Sequence, residues 1–153
     1  LRRLLIFASE DVGNADPNGL VVAVAAAEAF DRVGLAEGRL ILSQATTYLA
    51  CAPKSNASLQ AISSASAAAS EHGALPVPLH LRNAPTELLR ELGYAKGYRY
   101  PHDAPSHFVR EQYLPDALVG TRFYRPSDQG AEAAIAARQR ARWSESEDGS
   151  GER

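Results

Sequence analysis

Residues 52–102 contain three ordered segments: Ala-Pro-Lys-Ser-Asn-Ala (52–57), Val-Pro-Leu-His-Leu-Arg-Asn-Ala-Pro-Thr (77–86) and Gly-Tyr-Ala-Lys-Gly-Tyr-Arg-Tyr-Pro-His (93–102). Each segment lies next to an apolar stretch with helical periodicity. Together they supply the prolines, glycines and polar residues that begin or end helices. The chain contains no Gly-rich phosphate loop, no metal-ligand spacing and no nucleophile motif. These segments therefore predict connections between helices.

Composition favours one all-helical domain. A chain of 153 residues is long enough for a single domain with its own core. Alanine occurs 28 times, and alanine has the highest intrinsic helix propensity and allows helices to approach closely. Residues that favour strands are sparse. We therefore predict an all-α fold, a helical bundle.

Net charge and cysteine content limit the cellular compartments that suit the chain, but they do not identify a binding partner. The formal net charge of -2 gives no overall attraction to nucleic acid or to a membrane. The single cysteine, Cys51, excludes an internal disulfide and fits a reducing compartment. No apolar run approaches the roughly 20 residues that a membrane span needs. A cytoplasmic protein is expected.

Three long helices are predicted with short connections, which favours antiparallel neighbours in a bundle. Asp16-Pro17 is a helix-start signal, because Asp caps the helix and Pro suits its first position. That helix should run to Val33 with Leu20, Val24 and Ala27 on one stripe. The other two should follow Gly38 and Ser55, and the last of them is built largely of alanine and serine.

The second half of the chain is predicted to be less regular. The prolines within residues 74–83 favour a Pro-rich extended segment. A short helix should follow Asn83, with Leu88, Leu89 and Leu92 buried. Residues 94–105 should form a Tyr-rich loop. Asp128 should cap a last helix that ends near Trp143. The domain would then cover residues 1–143, and residues 144–153 would form a disordered acidic tail.

Basic and aromatic residues interleave in the Tyr-rich loop, a pattern that can stack bases and neutralise phosphates. Tyrosines between helices also commonly bury their rings and bond their hydroxyls to the backbone. Lys54 at a helix start could hold a phosphate, or it could be a solvated residue beside a helix cap. The candidate DNA or interface contacts are Lys54, Arg82, Tyr94, Lys96, Tyr98, Arg99, Tyr100 and His102.

Alanine-rich helices bury little area each, so pairing with copies of the same chain is one hypothesis, and two alternatives to it stay open. One is a nucleic-acid-binding module in its own right, using the loop residues. The other is a small helical enzyme that uses His80, Arg82 and His102, which requires the three side chains to converge in one pocket. No catalytic, cofactor-binding or metal-ligating residue is otherwise predicted.

The order of several motifs resembles a known family. The string Phe-Ala-Ser-Glu-Asp-Val-Gly (7–13) is followed by Ala-Asp-Pro (15–17) and by Tyr-Leu-Ala-Cys-Ala-Pro-Lys-Ser-Asn-Ala (48–57). The segment at 77–86 and Glu-Leu-Gly-Tyr (91–94) continue the match. Together they resemble the C-terminal region of the replication-associated recombination AAA+ ATPases. These ATPases are of the clamp-loader clade and are related to the Werner-helicase-interacting ATPase.

The resemblance implies an all-α oligomerisation domain, comparable to a clamp-loader collar, that assembles a homotetramer. It implies a cytoplasmic, nucleoid-associated parent, a DNA-dependent ATPase acting at stalled forks, DNA ends and single-stranded gaps with single-strand-binding protein. ATP and Mg²⁺ would bind an upstream module, so this chain is expected to be no enzyme and to hold no cofactor. Glu87 stands where the family would have lysine, and Pro101 interrupts the run before His102. Both differences weaken the expectation that this loop is strongly basic and binds DNA.

Overall fold

The computed structural model describes residues 1–144. These residues form six α-helices, no β-strand and several short 3-10 turns, so the predicted all-α fold is confirmed. The predicted tail lies outside the described residues, apart from Ser144 at the end of the last helix. The helices are α1 Arg2–Phe7, α2 Asn18–Val33, α3 Leu35–Cys51, α4 Ala57–His72, α5 Glu87–Glu91 and α6 Glu132–Ser144.

The chain divides into two compact units. The first unit contains Leu1–Ser66 and Phe123–Ala141, and the second contains Ala67–Arg122 and Arg142–Arg153, of which the last nine residues are not described. The first unit therefore contains α1 to α3 and most of α6. The second contains α5, the Pro-rich segment and the Tyr-rich loop.

α1 continues into one turn of π-helix, Ala8–Val12, and ends at Gly13. Gly13 has φ +51°, and a Cβ there would lie 2.6 Å from the carbonyl oxygen of Ser55. Ser55 in turn donates its backbone N–H to the carbonyl of Asp11 at 2.8 Å. The end of α1 and the start of α4 are thus in direct backbone contact, which only glycine permits at position 13.

The start of α2 follows the predicted Asp-Pro signal. Asp16 has extended backbone, and its Oδ1 accepts the N–H of Asn18 at 3.1 Å, as a helix cap does. Pro17 already has helical dihedral angles. The other oxygen of Asp16 accepts the hydroxyl of Tyr48 at 2.8 Å, and this hydrogen bond raises the pKa of Tyr48. One carboxylate therefore caps α2 and holds it to α3.

The buried stripe of α2 differs from the one expected. Gly19, Ala23 and Ala26 are buried, whereas Leu20 and Val24 are 43% and 42% exposed. Small residues face α3 because they let the two helix backbones come close together. A Cβ at Gly19 would lie 3.2 Å from a methyl of Leu49. The larger apolar side chains of α2 are consequently left on the outer surface.

The core of the first unit is small. Ala8, Val12, Ala23 and Leu49 form it, with Leu4, Leu5, Phe7 and Ala52 packed around it. α2, α3 and α4 contain 16, 17 and 16 residues, of which only three, three and one are buried. Burial stabilises by about 25 cal/mol per Å² of apolar surface, and alanine offers little surface to bury. The helices therefore need contacts beyond this core.

A buried carboxylate supplies such contacts at the start of α6. Glu132 is 0% exposed. Its Oε2 accepts the Ser55 hydroxyl at 2.6 Å and both the N–H and the hydroxyl of Ser127 at 2.7 Å. Its Oε1 accepts the Tyr124 hydroxyl at 2.7 Å, and Asn14 donates to that same hydroxyl at 3.1 Å. Glu132 thereby joins α6 to the chain before α2 and to the start of α4.

The charge of Glu132 is stabilised by hydrogen bonds, and neither of the ion pairs within residues 1–144 includes it. Burial raises the pKa of Glu132, but hydrogen bonds from Ser127, Ser55 and Tyr124 favour the ionised form and outweigh it. The pKa of Glu132 therefore lies below its ordinary value of 4.5. The hydroxyl of Tyr124 stays protonated, since burial raises its pKa and the adjacent Glu132 raises it as well.

Gly130 permits the close approach that brings Glu132 inside. It has φ +51°, and a Cβ there would overlap the carbonyl oxygen of Ala15 and lie 2.8 Å from Pro53. The next residue, Ala131, donates its N–H to that same carbonyl at 2.8 Å. Asp128 was predicted to cap the last helix, but the helix begins at Glu132, because residues 127–131 form this docking turn.

Other sequence predictions in the second unit were also wrong in detail. The predicted helix after Asn83 is only the five-residue α5, and Thr86 caps it by accepting the N–H of Leu89. Leu88 and Leu92 are 63% and 57% exposed, not buried, because so short a helix has no long face to pack. The Pro-rich segment is interrupted by a 3-10 turn at Leu79–Leu81.

We expect Glu132→Gln to lower the free energy of unfolding by about 2–5 kcal/mol, because it places an NH₂ group among donors that need an acceptor. Chemical denaturation at neutral pH measures this loss. Glu28→Gln is the matched control, since Glu28 is exposed on α2 and its change should have little effect. Equal stability of the two variants would contradict the role given to Glu132.

The stability of the chain should also depend on pH through Glu132. A carboxyl whose pKa is lowered in the folded state stabilises the fold above its ordinary pKa of 4.5, and this contribution is lost as pH falls through the lower folded pKa. Denaturation curves between neutral and acidic pH should therefore converge for the native chain and Glu132→Gln. A constant difference between the two curves at all pH values would refute this linkage.

Candidate functional site

Lys54 could bind a phosphate or lie beside a helix cap according to the sequence, and in the structure it contacts the end of a helix. Its Nζ donates to the carbonyls of Ala50 and Ala52, both at 3.3 Å, and lies 5.6 Å from the centre of the Phe7 ring. A cation at this position satisfies carbonyls at the C-terminal end of α3 and favours its dipole. Lys54 is thus part of the helix end, with its charge directed to the protein.

Arg82 and Tyr94 are also bound to each other. Arg82 donates from Nε to the carbonyl of Val77 at 2.6 Å and from Nη1 to the Tyr94 hydroxyl at 3.0 Å. Its guanidinium carbon lies 5.1 Å from the centre of the Tyr94 ring. These contacts hold the Pro-rich segment to the start of the Tyr-rich loop.

Arg99 forms an ion pair inside the second unit. Its Nε and Nη2 donate to Oε1 of Glu111 at 3.0 and 2.8 Å, and Nη2 also donates to the carbonyl of Arg110. The Glu111 side chain is only 14% exposed. Arg99 therefore fixes the Tyr-rich loop to residues 110–111, and sequence reasoning did not predict this partner.

The remaining loop candidates are exposed. Lys96 is exposed, and Tyr98 and Tyr100 are 50% and 54% exposed. The ring of His102 lies 5.1 Å from that of Tyr100 and 5.0 Å from that of His107, both tilted. Lys96, Tyr98, Tyr100 and His102 therefore all lie on the surface, and the Tyr100 and His102 rings are tilted against each other.

The second unit also contains a groove that sequence reasoning missed. It has a volume of about 540 Å³ and is lined by Tyr113, Val119, Arg122 and Trp143 among others. The only sequence prediction for Trp143 was that the last helix ends near it. Its clustering with Arg122 depends on how residues 108–122 fold against the end of α6, and no local sequence pattern encodes that.

Large apolar side chains of the first unit form two exposed surfaces. The α2 surface consists of Leu20, Val21 and Val24, of which Val21 is 64% exposed. The α1–α4 groove, about 510 Å³ in volume, is lined by apolar residues of both helices. Those residues are Leu5, Ile6, Leu59 and Ile62. Ile62 of this groove is 63% exposed. Outside both surfaces, Leu35 and Leu40 of α3 are also exposed, at 79% and 68%.

The arrangement offers no support for the small-enzyme alternative. Within residues 1–144 no hydrogen bond joins any two of His80, Arg82 and His102. The buried Nε2 of His80 has no hydrogen-bond partner there. No group of three or more metal-binding side chains occurs in the described part of the chain. The buried carboxylate of Glu132 is sealed from solvent.

None of the helices described here is both long enough and apolar enough to cross a membrane.

Comparison with known proteins identifies the family. A family model described as "MgsA AAA+ ATPase C terminal" matches residues 1–143. Relatives include "Replication-associated recombination protein A" of Escherichia coli strain K12, which is 52% identical over 135 residues. The protein of the same name in Bacillus subtilis is 38% identical over 129 residues. "ATPase WRNIP1" of Dictyostelium discoideum is 38% identical over 126 residues.

These alignments cover most of this chain but a small part of each relative. They span 88%, 84% and 81% of the chain, and 30%, 31% and 14% of the E. coli, B. subtilis and D. discoideum proteins. The family model likewise describes a C-terminal region and not the ATP-binding module. The resemblance seen in the sequence is therefore confirmed, and the chain belongs to the MgsA AAA+ ATPase C-terminal family.

Proposed function

We propose that this chain is the oligomerisation domain of a replication- and recombination-associated AAA+ ATPase. The exposed apolar surfaces of the first unit carry the proposal. Side chains such as Val21 and Ile62, each more than 60% exposed, are stabilised when another surface covers them. A second copy of the chain could cover these side chains without any other protein.

Two separate surfaces favour a tetramer over a dimer. A twofold dimer needs one self-complementary patch, whereas a closed tetramer needs either two such patches or one complementary pair. The α2 surface and the α1–α4 groove lie on different helices and supply this pair of contacts. A homotetramer would hold four motor modules together and raise their effective concentration on one DNA.

The proposal also covers the ATPase and DNA-related activity of the longer protein that would contain this chain. ATP and Mg²⁺ would bind the upstream module. The assembled protein would act on forks, ends and single-stranded gaps in DNA, together with single-strand-binding protein, in the cytoplasm at the nucleoid. Support comes from the replication-associated recombination names of the relatives. Direct nucleic-acid binding by this chain is a second candidate function, favoured by the half-exposed tyrosines of the second unit.

We expect Val21→Glu and Ile62→Glu each to reduce the assembled mass below that of a tetramer, and the double variant to be a monomer. Each change loses about 1.5–3 kcal/mol of side-chain burial at every copy of the contact and adds a buried charge. Sedimentation velocity at about micromolar concentration measures the mass. If each single variant forms dimers, the tetramer has two separate twofold contacts. If each single variant is a monomer, the tetramer is a ring in which the two surfaces bind each other.

The matched control is Val77→Glu, which changes a valine of the second unit that is 54% exposed and lies outside both surfaces. It should leave the tetramer intact, and circular dichroism should show unchanged helix content in every variant. A monomeric native chain, or tetramers that persist in the double variant, would rule out self-assembly through these surfaces.

A further inference from the structure

We propose that the groove beside Trp143 in the second unit binds single-stranded nucleic acid, with the indole as a stacking platform. This deepens the DNA-related part of the proposed function by naming a site, and it does not depend on self-assembly. The groove is about 540 Å³ in volume. That is room for a base and its sugar, since small-ligand sites begin near about 300 Å³.

Trp143 is held in place while its ring stays accessible. Its ring meets that of Phe108 edge to face, with centres 5.9 Å apart and planes at 81°. The guanidinium of Arg142 lies 5.2 Å from the centre of the same Phe108 ring. Trp143 nevertheless remains 47% exposed. A fixed, half-exposed indole loses little conformational freedom when a base stacks on it.

The backbone that carries Trp143 is anchored too. Arg110 donates from Nε to the carbonyl oxygen of Arg142 at 2.7 Å. Carbonyls in the last turn of a helix have no partner within the helix, so this bond completes the end of α6. The indole is therefore positioned by both its ring contact and its main chain.

The rest of the groove supplies an aromatic ring and a cation. Tyr113 is 53% exposed, and Arg122 is exposed. Neither of the two ion pairs found among residues 1–144 involves Arg122. Gln112 donates to the carbonyl of Leu114 and to Oδ1 of Asp116, which shapes the turn that carries Tyr113. A guanidinium beside stacking rings is the combination that binds single strands without sequence preference.

The charge around the groove favours a polyanion. Among the described residues, Glu111 in the groove wall is paired with Arg99, and Asp116 accepts a hydrogen bond from Gln112, another wall residue. Arg122 lines the groove, and neither Arg122 nor Arg142, whose guanidinium lies over the Phe108 ring, takes part in the two ion pairs found among residues 1–144. Phosphate oxygens would bind there, whereas a cationic or purely apolar partner would not match the surface.

The distribution of exposed aromatic rings favours nucleic acid over an acidic peptide. Four aromatic side chains of the second unit are about half exposed, whereas in the first unit Tyr48 is the most exposed at 38%. The four are Tyr98, Tyr100, Tyr113 and Trp143. The Arg99–Glu111 ion pair ties the loop that carries Tyr98 and Tyr100 to a wall of the groove. Successive bases, but not carboxylates, require such a series of planar faces.

Trp143 is the only tryptophan of the chain, so its fluorescence reports on this site alone. We expect an oligothymidylate of about 16 nucleotides to quench that fluorescence, with an affinity that falls as salt rises. In anisotropy with a labelled oligonucleotide, Trp143→Ala should raise the Kd about 5- to 100-fold, and Trp143→Phe should restore part of the affinity. Arg122→Ala should lower the logarithmic salt slope by about 0.7, the value for one phosphate contact.

Arg90→Ala is the control, because it also removes one exposed cation of the second unit but does not line the groove. It should leave both the quenching and the affinity unchanged. Absence of quenching at low salt, or equal affinity of the native chain, Trp143→Ala and Arg122→Ala, would overturn the proposal. So would an emission change with a glutamate-rich peptide and none with oligothymidylate, which would assign the groove to a protein partner.

Light scattering on the same samples separates this site from self-assembly. Tetramers that do not bind oligothymidylate would remove the groove proposal and leave the oligomerisation domain. Monomers that bind it through Trp143 would do the reverse. Circular dichroism of Trp143→Ala and Trp143→Phe should match that of the native chain, so that loss of binding reports on the ring and not on unfolding.

Discussion

The fold of the first unit depends on one buried carboxylate. Neither of the two ion pairs among residues 1–144 includes Glu132, which is stabilised instead by the hydroxyls of Ser55 and Tyr124 and by the N–H and hydroxyl of Ser127. A buried charge that lost one of these donors would be strongly destabilising, so the donors must all arrive together. Glu132 thus makes the docking of α6, the start of α4 and the chain before α2 a single cooperative event.

This polar contact matters because the apolar core is so limited. Alanine allows close helix packing but contributes little buried surface, and the larger residues of α2 face outward. The same choice of residues has two consequences. It requires a buried hydrogen-bond network to hold the helices, and it leaves side chains such as Val21 and Ile62 to be covered by another molecule. The stability of the helices and the proposed self-assembly therefore have a common origin.

Local signals predicted the helices well. The Asp16-Pro17 start, the long helices and the all-α class follow from capping and periodicity, which depend on neighbouring residues. The buried stripe of α2 was displaced by one residue, because periodicity cannot tell which of two adjacent apolar stripes faces the core. Glycine at position 19, whose small size permits close packing against Leu49, was the available signal.

Contacts between distant segments were beyond sequence reasoning. The Glu132 network joins residues 77 positions apart, and the Trp143 groove is formed by residues that precede and follow several turns. Of the eight candidate contact residues, four, namely Lys54, Arg82, Tyr94 and Arg99, contact protein groups in the structure. A cation and an aromatic residue close in sequence bind each other as readily as they bind a ligand.

Thiol labelling of a cysteine at position 62 tests most directly whether a second copy covers the exposed helices. The exposed Cys51 is first replaced in Cys51→Ser, and Ile62→Cys then provides the only thiol. If self-assembly covers the α1–α4 groove, the labelling rate should fall as protein concentration rises, while Val77→Cys in the same background should label at a constant rate. A rate at position 62 that is fast and independent of concentration would contradict the oligomerisation domain.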